Sequence, residues 1–237
     1  MRNLFAKKKV REPSGKPGAR AYAIGDIHGR ADLLERALAR NGQIICVGDY
    51  IDRGEESAEV LRMLSAQPDI ICLSGNHEEM MLNFLAHPVE SGGQWLRYGG
   101  LQTLASFGVA GASESIGKDA LVELRDQLQN AMGAEIIAWL NRLPRSWQSG
   151  NVAVVHAGAD PAVAINTQLP KTLHWGHPEF EERTRKDGVW VVHGHTIVDT
   201  PTQKAGRIAI DTGAYATGKL TVVHVRDGKA EFDVITR

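Results

Sequence analysis

Asp26 and His28 stand two residues apart in GDIHGR (25–30), between an apolar run and an amphipathic one. Glycine lets the backbone turn tightly, but a bare turn needs neither a carboxylate nor an imidazole. The same arrangement, a strand-like run ending in polar residues, recurs along the chain. GDYIDRG (48–54) brings Asp49, Asp52 and Arg53, and GNHEE (75–79) brings Asn76 and His77. VVHAG brings His156, and VVHGHT brings His193 and His195. A single histidine at a strand end is ordinarily structural. Five polar strand ends in one chain describe a ligand set instead, because carboxylate, imidazole and amide groups together hold mid-series divalent cations such as Mn, Fe and Zn. A carboxylate such as Asp49 can bridge two ions. A pair of ions about 3.5–4 Å apart suits attack on phosphorus, since it generates hydroxide and clamps both the attacking and the leaving oxygen.

Elements that could position these residues follow from the apolar patterning. Runs rich in Val and Ile at 21–24, 43–47, 70–73, 152–155, 189–192, 207–210 and 220–225 predict strands. Helical spacing over 31–40, 57–67 and 78–86 falls between the early strands, which is the alternation of an α/β sheet. Such sheets bind ligands outside the carboxyl ends of their strands, where the polar residues lie. Longer helices are predicted over 93–107 and 118–143, and the second half is mostly β. Asp-Gly in RDGK (226–229) predicts a tight hairpin turn between 220–225 and 230–235.

The chain has 237 residues, 43% of them apolar, and a net charge of −1. That is enough chain to bury a sizeable core, and the pattern reads as one domain over 21–237. Residues 1–20 carry seven Lys/Arg against Glu12, leaving the remainder at −7. With Pro13, Pro17, Gly15 and Gly18, this basic stretch reads as a disordered, solvated leader in preference to an arm for nucleic acid or anionic lipid. Neither a membrane-length apolar stretch nor a signal-peptide core is visible, so the expectation is a cytoplasmic protein with no membrane partner. Cys46 and Cys72 sit in apolar runs and read as buried thiols, not a disulfide.

The blocks 25–29, 48–54 and 75–78, followed by His156 and His195, resemble in family order the signatures GDxHG, GDxxDRG, GNHE and two late histidines of the calcineurin-like metallophosphoesterases. Within them they are most similar to the bacterial phosphoprotein phosphatase type. The resemblance implies a four-layer αββα fold, a mixed β-sandwich flanked by helices. It implies that Asp26 and His28 bind a first metal, that Asp49 bridges, and that Asn76, His156 and His195 bind a second. Manganese is the expected ion, with Fe, Zn, Ni or Mg as alternatives. His77 would protonate the leaving alkoxide, Asp52 would orient His77, and Arg53 would grip the phosphate. The implied reaction releases inorganic phosphate from a phosphoserine or phosphothreonine protein by direct attack of metal-bound hydroxide, with no covalent intermediate.

The bland readings are a surface ion pair for Asp52 and Arg53 and a helix cap for Asn76. His193, two residues before His195, would share its side on an extended strand and support a ligand there. The five tryptophans read as packing residues, His87 and His224 as surface or packing histidines, and Asp211 and Thr212 as structural or supporting residues. Two departures bear on substrate: Ser74 and His177 stand where relatives tend to have arginine, leaving Arg97 or His177 as helpers for the phosphate. A symmetrical dinucleoside tetraphosphate hydrolase, acting on a small phosphorylated substrate, shares these blocks and is the rival within the same chemistry. A catalytically idle phosphoprotein-binding module is the rival outside it, and would be expected to have lost a ligand or the acid.

Overall fold

A computed structural model describes residues 21–226 and 229–237. The basic leader and the Asp-Gly of the expected hairpin turn lie outside the described residues. The first part alternates as β1 (Ala21–Ile24), α1 (Ala31–Leu38), β2 (Gln43–Cys46), α2 (Ser57–Ser65), β3 (Ile71–Cys72) and α3 (Asn76–Ala86). Then come α4 (Pro88–Trp95), a π turn (Leu96–Gly100), α5 (Leu101–Ser106) and α6 (Lys118–Asn141). The remainder is β4 (Ser146–Ser149), β5 (Val152–Val155), α7 (Pro170–Trp175), β6 (Trp190–His193), β7 (Thr202–Lys204), β8 (Arg207–Ala209), α8 (Ala214–Thr217), β9 (Lys219–Arg226) and β10 (Lys229–Thr236).

These strands make two five-stranded sheets, ordered β10-β9-β1-β2-β3 and β4-β5-β6-β8-β7. β1, β2 and β3 run parallel, as do β5, β6 and β8, while β9, β10, β4 and β7 pair antiparallel with their neighbours. Alternation along each strand sends neighbours to opposite faces. Ala23, Ile45 and Leu73 meet Val152, Val154 and Val192 between the sheets. Ile24, Ile44 and Cys46 face the helical layer through Leu33, Leu61, Phe84 and Leu128. Ala153, Val155 and Val191 pack outward against Ile165, Leu173 and Phe180, a thinner fourth layer. Burial on both faces is why these short strands read as unbroken apolar runs.

Several boundaries depart from the sequence reading. The helix expected over 93–107 is broken at Gly99, whose φ of 111° is a conformation that a helix cannot hold. α6 is likewise interrupted at Gly133, φ 77°. β4 and β7 carry polar, partly exposed residues at sheet edges and so lack the apolar signal, and α7 is too short to show a period. β9 and β10 pair antiparallel from Arg226 opposite Lys229 onward, the hairpin that the Asp-Gly pattern predicts. Cys46 and Cys72 are free, buried and opposite one another on β2 and β3.

Candidate metal centre

The loops after β1 and β2 are laced together by backbone. Ile27 and His28 N–H donate to the Asp49 carbonyl at 3.1 and 2.8 Å, and Gly29 N–H donates to the Tyr50 carbonyl at 2.8 Å. This lacing holds His28, Asp49, Asp52 and Arg53 at φ between 44° and 70°, and His195 sits at 64°. Left-handed backbone in non-glycine residues costs about 1–3 kcal/mol each and persists where surroundings over-determine it. Gly194 permits the closest approach, since a Cβ there would lie 1.9 Å from Asp26 Oδ1.

Asp49 lies at the centre. Its Oδ2 is 3.6 Å from His28 Nε2, and its Oδ1 is 3.4 Å from His156 Nε2. Asn76 Oδ1 is 2.8 Å from His156 Nε2 and 2.9 Å from His195 Nδ1. Two potential metal clusters therefore share Asp49: one with His28 and His77, the other with His156 and His195. His28 Nδ1–H donates to the Ile51 carbonyl at 2.7 Å, which leaves Nε2 as an acceptor, 3.3 Å from Arg53 Nη1 and 3.6 Å from Asp49 Oδ2. Asp26 accepts the His195 N–H on Oδ2 at 3.0 Å, while its buried Oδ1 has no hydrogen-bond partner.

The electrostatics ask for cations. Burial, with Asp211 and Asp49 beside it, pushes the Asp26 carboxyl well above its ordinary range. Burial drives His28 and His156 down to about 3, so both are neutral with a lone pair to give. Burial opposes the charge on Asp49, yet His156, His77 and His28 hold its carboxyl below the usual value. Crowded carboxylates, neutral imidazoles and an amide oxygen fit two divalent ions.

His77 is set apart by its partner. His77 Nδ1 and Asp52 Oδ2 are 2.7 Å apart, and Asp52 also accepts from Trp95 Nε1 at 3.0 Å and Thr103 Oγ1 at 2.6 Å. Burial works against charge on His77, but Asp49 and the Asp52 hydrogen bond outweigh it and raise its pKa. Asp52 is fully buried, so the surface ion pair with Arg53 is excluded. Asn76 is the first residue of α3, with its side chain turned to the imidazoles, and Gly75 occupies the cap position.

His193 departs from expectation. β6 ends there and His195 turns left-handed, so the two rings part, and His193 packs on Phe180 in the outer layer. His177 pairs with Asp160 at 3.6 Å, and His224 stacks near Tyr22. Ser74 is buried and its N–H donates to the Pro144 carbonyl at 2.9 Å. Arg53 lies at the mouth, 5.0 Å over the Tyr215 ring, with Arg97 and Tyr98 nearby.

Some contributors went unread. Glu78 Oε2 accepts from Asp49 and Gly75 N–H at 2.9 Å and Oε1 from Tyr50 N–H at 2.8 Å, joining two loops; burial and Asp49 push it up to about 7. Its place in the GNHE block was the available signal. Arg30 Nη1 holds the Ala214 carbonyl at 2.8 Å and thereby steadies the turn carrying Tyr215. Trp95 and Thr103 gave no local sign that they would meet Asp52.

Two laced sheets with a buried carboxylate shared by two imidazole clusters at their strand ends define a metal-dependent phosphoester hydrolase. The chain belongs to the Calcineurin-like phosphoesterase family, whose model matches residues 19–199. Serine/threonine-protein phosphatase 2 of Escherichia coli (strain K12) is 27% identical over 225 residues, covering 86% of this chain and 92% of that protein. The symmetrical bis(5'-nucleosyl)-tetraphosphatase of Dechloromonas aromatica is 31% identical, over 59% of this chain and 44% of its own length. A protein serine/threonine phosphatase from Saccharomyces cerevisiae has the same fold, with a TM-score of 0.57 at 17% identity, covering 94% of this chain and 81% of that one. Among the described residues no helix is long and apolar enough to cross a membrane.

Proposed function

We propose that the protein releases inorganic phosphate from phosphoserine and phosphothreonine side chains of proteins, using Asp26, His28 and Asp49 to hold one divalent ion and Asp49, Asn76, His156 and His195 to hold another. The observation that supports this most is the split of Asp49, one oxygen toward His28 and the other toward His156. When bound, the ions supply a nucleophile at neutral pH and neutralise charge on the phosphate oxygens. Manganese is the ion expected to restore activity best.

The chain's own residues do the rest. Arg53 takes phosphate oxygens with its forked guanidinium at the mouth. His77 holds a proton at Nε2 for the departing serine or threonine oxygen, and Asp52, fixed by Trp95 and Thr103, keeps that ring in place. The phosphoprotein substrate draws on the GDxxDRG and GNHE blocks and on likeness to the phosphatase across nearly the whole of both chains. The tetraphosphatase likeness, at 31% identity, keeps a dinucleotide substrate as the second reading. An idle binding module is disfavoured because every named ligand and the His77–Asp52 pair are present and converge.

The test is phosphate release by metal-stripped protein resupplied separately with Mn, Mg, Zn or Ni. Substrates are a phosphoserine peptide, a phosphotyrosine peptide and a dinucleoside tetraphosphate. Metal-dependent release from phosphoserine, lost in Asp49→Asn and His77→Ala, supports the phosphatase reading. Cleavage of the dinucleotide alone replaces it with the second, and inactivity with every metal returns the idle module.

A further inference from the structure

A cavity of about 360 Å³ opens beside the metal centre, lined by Arg53, Arg97, Tyr98, Gly99, Gln102 and Tyr215. The π turn (Leu96–Gly100) forms one wall and is locked to the Arg53 loop. The Gly99 carbonyl accepts the Arg53 N–H at 3.3 Å, and a Cβ on Gly99, at φ 111°, would lie 2.7 Å from Arg53 N. Arg97 and Tyr98 are therefore held in fixed relation to the phosphate-gripping arginine.

Tyr98 marks which side of the reaction this cavity serves. Its ring is 6.5 Å from His77, the group that faces the leaving oxygen in the reading above. The remainder of the substrate extends from that oxygen, and so into this cavity. The lining contains two guanidinium groups and no carboxylate. In that reading Arg53 takes the transferred phosphate, whereas Arg97 is exposed and, among the described residues, has no acidic partner. Tyr98 is 44% exposed, so the walls are open side chains, which suit an extended peptide passing over them better than a base that needs enclosure.

We propose that this cavity is a peptide subsite in which Arg97 selects phosphoproteins carrying an acidic residue directly beside the phosphorylated serine or threonine, with Tyr98 packed against the peptide chain. The proposal rests on the phosphoprotein reading. It assigns Arg97 and Tyr98 a part in substrate choice, separate from the transfer of phosphate.

The experiment measures kcat/KM for three phosphoserine peptides, with Asp before, Asp after or Ala on both sides of the phosphoserine, in the wild type, Arg97→Lys and Arg97→Glu. The expected acidic-to-neutral ratio for the better Asp peptide is roughly three- to fivefold in the wild type, carried by KM, as for an exposed ion pair. Arg97→Lys keeps a preference, Arg97→Glu inverts it, and about 0.5 M salt brings the ratio toward one. A wild-type ratio near one for both Asp peptides, or a ratio that Arg97→Glu leaves in place, overturns the subsite while the neutral peptide still reports phosphatase activity. Hydrolysis of a small aryl phosphate and of dinucleoside tetraphosphate, with none of the three peptides cleaved, overturns the phosphoprotein reading and the subsite together.

Discussion

Asp49 and His77 sit 3.9 Å apart at their nearest charged atoms, yet the groups around them assign them different work. Asp49 is surrounded by three imidazoles and stays ionised, whereas His77 has its Nδ1 fixed by Asp52 and keeps only Nε2 for the reaction. His77→Ala should lower kcat on a phosphoserine peptide by roughly 10²–10⁴-fold. The loss should be much smaller on p-nitrophenyl phosphate, whose leaving group departs without a proton, and steady-state kinetics on both substrates checks this. Trp95→Phe keeps an aromatic ring, smaller than the indole, but removes one donor to the buried Asp52. With the orientation of His77 loosened, kcat should fall about tenfold at nearly constant KM, and the pH profile of kcat should shift; an unchanged profile would leave Trp95 a packing residue only.

At the scale of elements, the site depends on segments that are held by one another. The π turn docks on the Arg53 loop through Gly99, and no other residue fits there at φ 111°. Gly99→Ala should cost about 1–3 kcal/mol in urea denaturation and raise KM by displacing Arg53. α3 and α7 are joined by Glu79, which lies 3.0 Å from His174 Nδ1 and accepts from Trp175 Nε1 at 2.7 Å. His174 first, then Trp175, hold the Glu79 carboxyl below its ordinary value against the opposing effect of burial. A carboxylate lowered in the folded state stabilises above its unfolded pKa and loses that contribution as pH falls through the folded one. Glu79→Gln should therefore destabilise by roughly 0.5–1 kcal/mol at neutral pH, a difference that fades as the pH drops below about 4.5. Denaturant midpoints measured across pH decide this.

For the molecule as a whole, the strand ends of two sheets bring Asp26, Asp49, Asp211 and Glu78 into one buried region. Their pKa directions record the cost: burial raises Asp26, Glu78 and Asp211, the last to about 6. Cations that bind only the folded chain offset that cost, by about 2.7 kcal/mol at 100 times their Kd. Adding Mn to metal-stripped protein should raise Tm by several degrees. Asp49→Asn should remove most of that shift; scanning calorimetry with metal analysis tests this.

The sequence by itself determined the strand-end blocks, the alternation of the first sheet and the family. Each of those signals is local: a glycine-flanked loop, an apolar run, a helical period within a few residues. It also supplied the residues that converge at the centre, because motif spacing records which loop follows which strand. Only the tertiary structure decided that Asp52 is held by Trp95 and Thr103, 43 and 51 residues away, and that Asp26 receives the backbone of His195 from 169 residues away. Polar edge strands β4 and β7 were invisible because an edge needs no apolar face on its outer side. His193 turned outward for a related reason: period-two reasoning holds only while a strand continues, and the chain left the strand at His193 to bring His195 inward.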